Sequence, residues 1–103
     1  MERKAIFFKV KPGMMEEYKY WHQNVWPGVL EILKIAGMHN YSIWSHDEML
    51  FAYYEVEDEA KTNEILYNCK EFLDWRKEMR NIIYIDENNG QVEWPMGLAF
   101  FQK

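Results

Sequence analysis

His22 stands four residues after Tyr18, inside the run Tyr-Lys-Tyr-Trp-His-Gln-Asn-Val-Trp-Pro of residues 18–27. On a helix, side chains four apart share a face and can reach one ligand. An imidazole is the side chain best suited to give and take protons near neutral pH. Two readings of His22 stand side by side. It is a surface or capping histidine, or it is a proton carrier in an aromatic pocket built with Tyr18, Trp21 and Trp26.

Two further groups carry possible chemistry. His39-Asn40-Tyr41 follows Gly37 and reads either as a polar strand start or as a strand whose Tyr41 reaches inward to hydrogen-bond a ligand hydroxyl. Trp75 recurs with Phe72 and Met79 at helical spacing, a core pattern. An indole face can also pack against the C–H side of a pyranose while polar groups hold its hydroxyls. Arg76 follows directly.

Other chemistries lack their residues. His22, His39 and His46 have no ligand spacing and Cys69 has no second cysteine, so no metal site is expected. There is no G-x-S-x-G elbow and no local signature around Cys69. Glu16-Glu17 and Glu57-Asp58-Glu59 are adjacent carboxylates, which read as solvated rather than as a glycosidase pair. No glycine-rich phosphate loop appears, and no cofactor is expected.

These side chains need a scaffold. Residues 5–10 alternate with Ile6, Phe8 and Val10 on one face, which predicts a strand ended by the Lys11-Pro12-Gly13 turn. From Met14 to Ala36 apolar residues recur at helical spacing. Pro27 removes a backbone donor and predicts a kink or break near Asn24 to Trp26. Gly37 sits where a helix C-cap belongs. Residues 39–45 and 49–56 predict a hairpin across Ser45-His46-Asp47-Glu48. A helical region is predicted from about Glu59 to Ile83, broken near Asn68. Asp86 to Gly90 is a polar loop, and residues 94–101 predict a last strand. The order β-α-β-β-α-β is the ferredoxin-like α+β plan, an antiparallel sheet with helices on one face. A second protomer is the natural cover for the other face.

The 103 residues favour one domain, 1–103. Hydrophobic residues at 49% argue against disorder, and aromatics at 17% exceed what a small core needs. The net charge of −5 and the absence of a basic patch point away from nucleic acid and toward a neutral ligand. A single cysteine fits a reducing cytoplasm. The apolar run near the N-terminus is too short for a signal peptide, and no stretch approaches the ~20 apolar residues of a membrane span.

Several segments together resemble one family. Residues 17–27, Glu-Tyr-Lys-Tyr-Trp-His-Gln-Asn-Val-Trp-Pro, are similar to the E-Y-x-x-x-H-x-x-x-W-P signature of the L-rhamnose mutarotases. Residues 37–43, Gly-Met-His-Asn-Tyr-Ser-Ile, match its G-x-x-N-Y-S-I segment. Leu50 to Glu55 resembles a strand ending in an acidic residue, Trp75 to Met79 the W-W-x-x-M helix, and Met96 to Phe100 the closing M-x-x-x-F strand. The resemblance implies a homodimer of ferredoxin-like protomers (a dimeric α+β barrel) with the pocket between sheet and first helix. It implies His22 as the acid/base residue and Tyr18, Tyr41 and Trp75 as contacts of a small neutral sugar. Arg76 departs from the family's second Trp; a hydrogen bond from it to a hydroxyl would replace stacking.

Such an enzyme opens a 6-deoxy aldose to the aldehyde and recloses it on either face, needing protons moved and nothing oxidised. His22 is expected to protonate the ring oxygen. Two alternatives share these features: a cofactor-free monooxygenase on the same fold, and a non-catalytic sugar-binding or assembly module.

Overall fold

A computed structural model describes residues 1–103. Strand β1 (Glu2–Lys9) leads into helix α1 (Met15–Gln23) and helix α2 (Pro27–Ile35). The hairpin β2 (His39–His46) and β3 (Met49–Val56) follows, then helices α3 (Glu59–Tyr67) and α4 (Lys70–Met79), and the short strand β4 (Trp94–Met96). The sheet order is β2-β3-β1-β4 and every pairing is antiparallel. This is the expected ferredoxin-like arrangement, with each predicted helical region divided in two.

The divisions have local causes. Pro27 is the first residue of α2, where its missing N–H is no loss. The chain therefore ends α1 at Asn24 and restarts. Helix α2 closes on Gly37, whose φ of 81° suits a residue without Cβ. The Met38 amide donates to the Leu33 carbonyl at 3.1 Å and the Gly37 amide to that of Lys34 at 3.1 Å, a Schellman closure. Asn68 separates α3 from α4, and Asp58 caps α3 by accepting from the Lys61 amide at 3.2 Å.

Alternation sorts the sheet into two faces. Phe8, Val10, Leu50, Ala52 and Val56 are buried beneath the helices, where Val29, Leu66, Phe72, Trp75 and Met79 meet the strands. The one buried polar side chain, Thr62, donates its hydroxyl to the Ala36 carbonyl at 2.7 Å and ties α3 to the end of α2. The opposite face bears Phe7 and Phe51, ring centroids 5.5 Å apart, with Trp94 6.2 Å from Phe7. Trp44, the cross-strand partner of Phe51, is 69% exposed on that face.

Several boundaries differ from the sequence pattern. Strand β1 runs from Glu2 to Lys9 rather than over 5–10, with Val10 in a lone bridge to Ile83. Helix α4 stops at Met79, because the chain must turn so that Ile83 bridges Val10 and the Tyr84 amide reaches the Lys9 carbonyl at 2.9 Å. Strand β4 ends at Met96 rather than running to Phe101. Pro95 lies opposite Ile6 on this edge strand and brings no amide to the ladder, and Gly97 follows it. Leu98, Phe100 and Phe101 are left exposed, with the Arg3 guanidinium 3.7 Å over the Phe101 ring.

Candidate active site

Between the helix-covered face and α1, α2 and α4 lies a cavity of about 330 Å³. Its wall is mostly apolar, and a few polar groups converge on it, the usual make-up of a small-molecule site. His22, Tyr18, Tyr41, Tyr54, Arg76 and Glu93 are among those lining it.

Helix α1 delivers Tyr18 and His22 together. Their rings stack with centroids 4.0 Å apart, and His22 Nδ1 lies 2.9 Å from the Tyr18 carbonyl oxygen. A carbonyl only accepts, so Nδ1 carries the hydrogen and Nε2 of the neutral ring is left with its lone pair free. Burial lowers the His22 pKa from its usual range, and the Tyr18 carbonyl, which favours the charged ring, opposes this only in part. The resting His22 is therefore a neutral imidazole with one fixed tautomer.

Trp75 anchors the neighbourhood from α4. It is buried, and its ring meets His22, Trp26 and Trp21 edge-on at 5.5, 5.3 and 5.7 Å. The break before Pro27 brings Trp26 onto Trp75, so a helix interruption supports a residue of the cavity lining. Tyr18 also packs on Phe8 of β1 at 6.3 Å.

Tyr41 reaches the site through a bulge in β2. The register against β3 shifts between His39 and Ser42, and Asn40 takes a φ of 50°, which asparagine tolerates better than most residues. The Asn40 amide donates to the Glu55 carboxylate at 2.7 Å on the far face, while the Tyr41 ring meets Tyr54 at 5.8 Å on the cavity side. Tyr41 is 43% exposed, yet its phenol is pushed up to about 12, first by burial and then by the Glu93 carboxylate, with Arg76 pulling the other way. The ring edge meets solvent and the hydroxyl points inward. Tyr18 and Tyr54 are raised as well, each chiefly by burial.

The comparisons with known proteins bear on this cavity. Residues 3–101 match the model of the L-rhamnose mutarotase family. The chain is 36% identical over 105 aligned positions to the L-rhamnose mutarotase of Tolumonas auensis, covering 98% of both chains. The chain belongs to the L-rhamnose mutarotase family. Its backbone superposes on the crystal structure of the L-rhamnose mutarotase of Formosa agariphila with a TM-score of 0.82, at 28% identity and full coverage of both chains. A dimeric ferredoxin-like protein from an uncultured marine organism shares the fold at a TM-score of 0.59 and 17% identity, over 98% of this chain and 91% of that one.

All five residues singled out from the sequence, Tyr18, His22, Tyr41, Trp75 and Arg76, line the one cavity of this mutarotase-family chain. His39 and His46 do not line it; both are exposed, on β2. No three His, Cys, Asp or Glu side chains gather as ligands for a metal ion. Two contributors were missed. Tyr54 sits in the nearly continuous apolar run of β3, where alternation gives no sign of which side faces a ligand. Glu93 lies between a polar loop and the last strand and belongs to no motif.

Proposed function

We propose that this chain interconverts the α and β anomers of L-rhamnose, with His22 carrying the proton inside the cavity described above. The single observation behind the mechanism is the hydrogen bond from His22 Nδ1–H to the Tyr18 carbonyl, which leaves Nε2 as a base within a largely apolar pocket.

Anomer exchange then needs one nitrogen. Nε2 takes the proton from the anomeric hydroxyl as the carbonyl forms and the bond from C1 to the ring oxygen breaks. The anomeric and ring oxygens are bonded to the same carbon, so the imidazolium can hand its proton to the ring oxygen. Rotation about C1–C2 and reclosure by the reverse transfers give the other anomer. His22 still protonates the ring oxygen, as the sequence suggested, but it acts first as base. The high pKa values of Tyr18 and Tyr41 keep both phenols protonated, as donors or acceptors to sugar hydroxyls. The Trp75 indole, with Trp26 packed against it, gives an apolar wall, and Arg76 supplies hydrogen bonds from α4.

Residues 1–103 form one mutarotase domain in this reading, acting as a homodimer. The aromatic face of Phe7, Trp44, Phe51 and Trp94, on which Trp44 and Phe51 are exposed, supports a second copy as its cover. No helix is long and apolar enough to cross a membrane.

The test is magnetisation exchange between the α and β anomeric signals of L-rhamnose, L-fucose, L-mannose and D-xylose, with and without protein. Accelerated exchange for L-rhamnose is the expected result. Binding of L-rhamnose with no acceleration would replace catalysis by simple sugar binding.

A further inference from the structure

Among all residues lining the cavity, Glu93 is the only carboxylate. It precedes β4, whose Trp94 pairs with Phe7 and packs on that ring on the open face, so alternation turns Glu93 to the helix side. Its place is held from two directions. One Glu93 oxygen lies 3.5 Å from an Arg76 guanidinium nitrogen on α4. Behind it, the Gln91 side-chain amide donates to the Glu93 carbonyl at 2.9 Å, and the 86–91 loop closes on itself through the Gly90 amide and the Asp86 carbonyl at 2.8 Å. The carboxylate is thus presented to the cavity rather than to bulk water alone, with about 41% of its side chain exposed.

A neutral sugar offers hydroxyl donors, and an ionised carboxylate can accept from two at once. The other polar groups named here offer this poorly. Tyr18, Tyr41 and Tyr54 each bring one hydroxyl, Arg76 only donates, and Nε2 of His22 is reserved for the reacting proton. Arg76 stands beside the carboxylate, one guanidinium nitrogen 3.5 Å from one of its oxygens. We infer that Glu93, backed by Arg76, is the substrate-orienting residue of this site and grips two neighbouring hydroxyls of the sugar so that its anomeric carbon faces His22. Glu93 also raises the pKa of Tyr18, Tyr41 and Tyr54, which places its charge within electrostatic reach of all three phenols.

This inference rests on the mutarotase reading. It is tested with the full-length protein and two variants, Glu93→Gln and Glu93→Asp, measured for exchange kinetics and melting temperature on L-rhamnose and its 2-, 3- and 4-deoxy analogues. Loss of a charged hydrogen-bond acceptor should raise KM about tenfold or more in Glu93→Gln, with a much smaller change in kcat. Glu93→Asp should recover part of that loss. Wild-type protein should be penalised by removal of either gripped hydroxyl, and Glu93→Gln should be blind to the same removal. A kcat lowered about a hundredfold at unchanged KM would make Glu93 a proton carrier and overturn the orienting role. A lower melting temperature with KM unchanged would reduce the pair to a structural tie between α4 and β4. If wild type accelerates exchange and Glu93→Gln matches it in KM, only this inference fails. If wild type accelerates nothing, the mutarotase reading fails and takes this one with it.

Discussion

Anomer exchange should be fastest above the His22 pKa and should collapse on the acid side. The active form proposed here is the neutral ring, because Nε2 must first accept a proton. Burial moves the His22 pKa below its usual value of about 6.5, and the Tyr18 carbonyl only partly opposes it. The plateau should therefore begin below about pH 6.5, and the rate should fall roughly tenfold for each further pH unit. On the alkaline side Tyr41 does not ionise until about 12, and Tyr18 and Tyr54 are pushed upward too, so the plateau should extend past pH 9. Exchange spectroscopy between pH 5 and 9, corrected for the buffer-only rate, reads this directly. His22→Ala should lose about 10²–10⁴-fold in rate and the acid limb with it, while remaining folded. Stability should follow with a defined sign. The folded state binds its proton at lower pH than the unfolded chain does. His22 thus contributes fully above about 6.5, and its contribution is lost as pH falls toward the folded value. An exchange rate that climbs as pH drops through 6 would refute the base-first order, since the imidazolium would then be the working form. A folded His22→Ala with wild-type exchange would remove His22 from the chemistry altogether.

Two further outcomes are open to measurement. Tyr18→Phe should raise KM with a smaller loss in kcat, because the backbone carbonyl that fixes His22 survives while the buried hydroxyl is lost; an unchanged KM would take the phenol out of sugar binding. Sedimentation velocity should give wild type twice the mass of one chain and Phe51→Glu a folded single chain, because a charge beside Phe7 and Trp44 spoils an aromatic interface; wild type sedimenting at the mass of one chain at tens of micromolar would contradict the homodimer.

The parts of the fold that were legible in the sequence are those that one residue's backbone chemistry decides. Pro27 announced the break after α1 because it has no amide, and Gly37 announced the end of α2 because it alone enters φ of 81° freely. Strand β1 followed from alternation, β3 from its nearly continuous apolar run, and the hairpin from the short polar linker Ser45-His46-Asp47-Glu48. The end of β4 was not legible. Met96 to Phe101 is apolar enough for a strand, and whether an apolar edge segment joins a ladder depends on which amides its neighbour offers and which side is covered. Pro95 already weakens that ladder.

The site divides along the same line. Tyr18 and His22 were legible because helix period alone puts them together. Tyr41 and Trp75 came from segments far apart in sequence, and only the resemblance at residues 37–43 and 75–79 linked them to His22. What no pattern carried was orientation. The working tautomer of His22 is set by the Tyr18 carbonyl, a backbone atom that every residue possesses and no motif records. The inward turn of Glu93 is set by the strand parity of its neighbour Trp94 and by Arg76 on another helix. Spacing can therefore put His22 forward as the proton carrier, while the proposed direction in which it first moves the proton, and the proposed grip of Glu93 on the sugar, follow only from how α1, α4 and the segment leading into β4 are packed around one cavity.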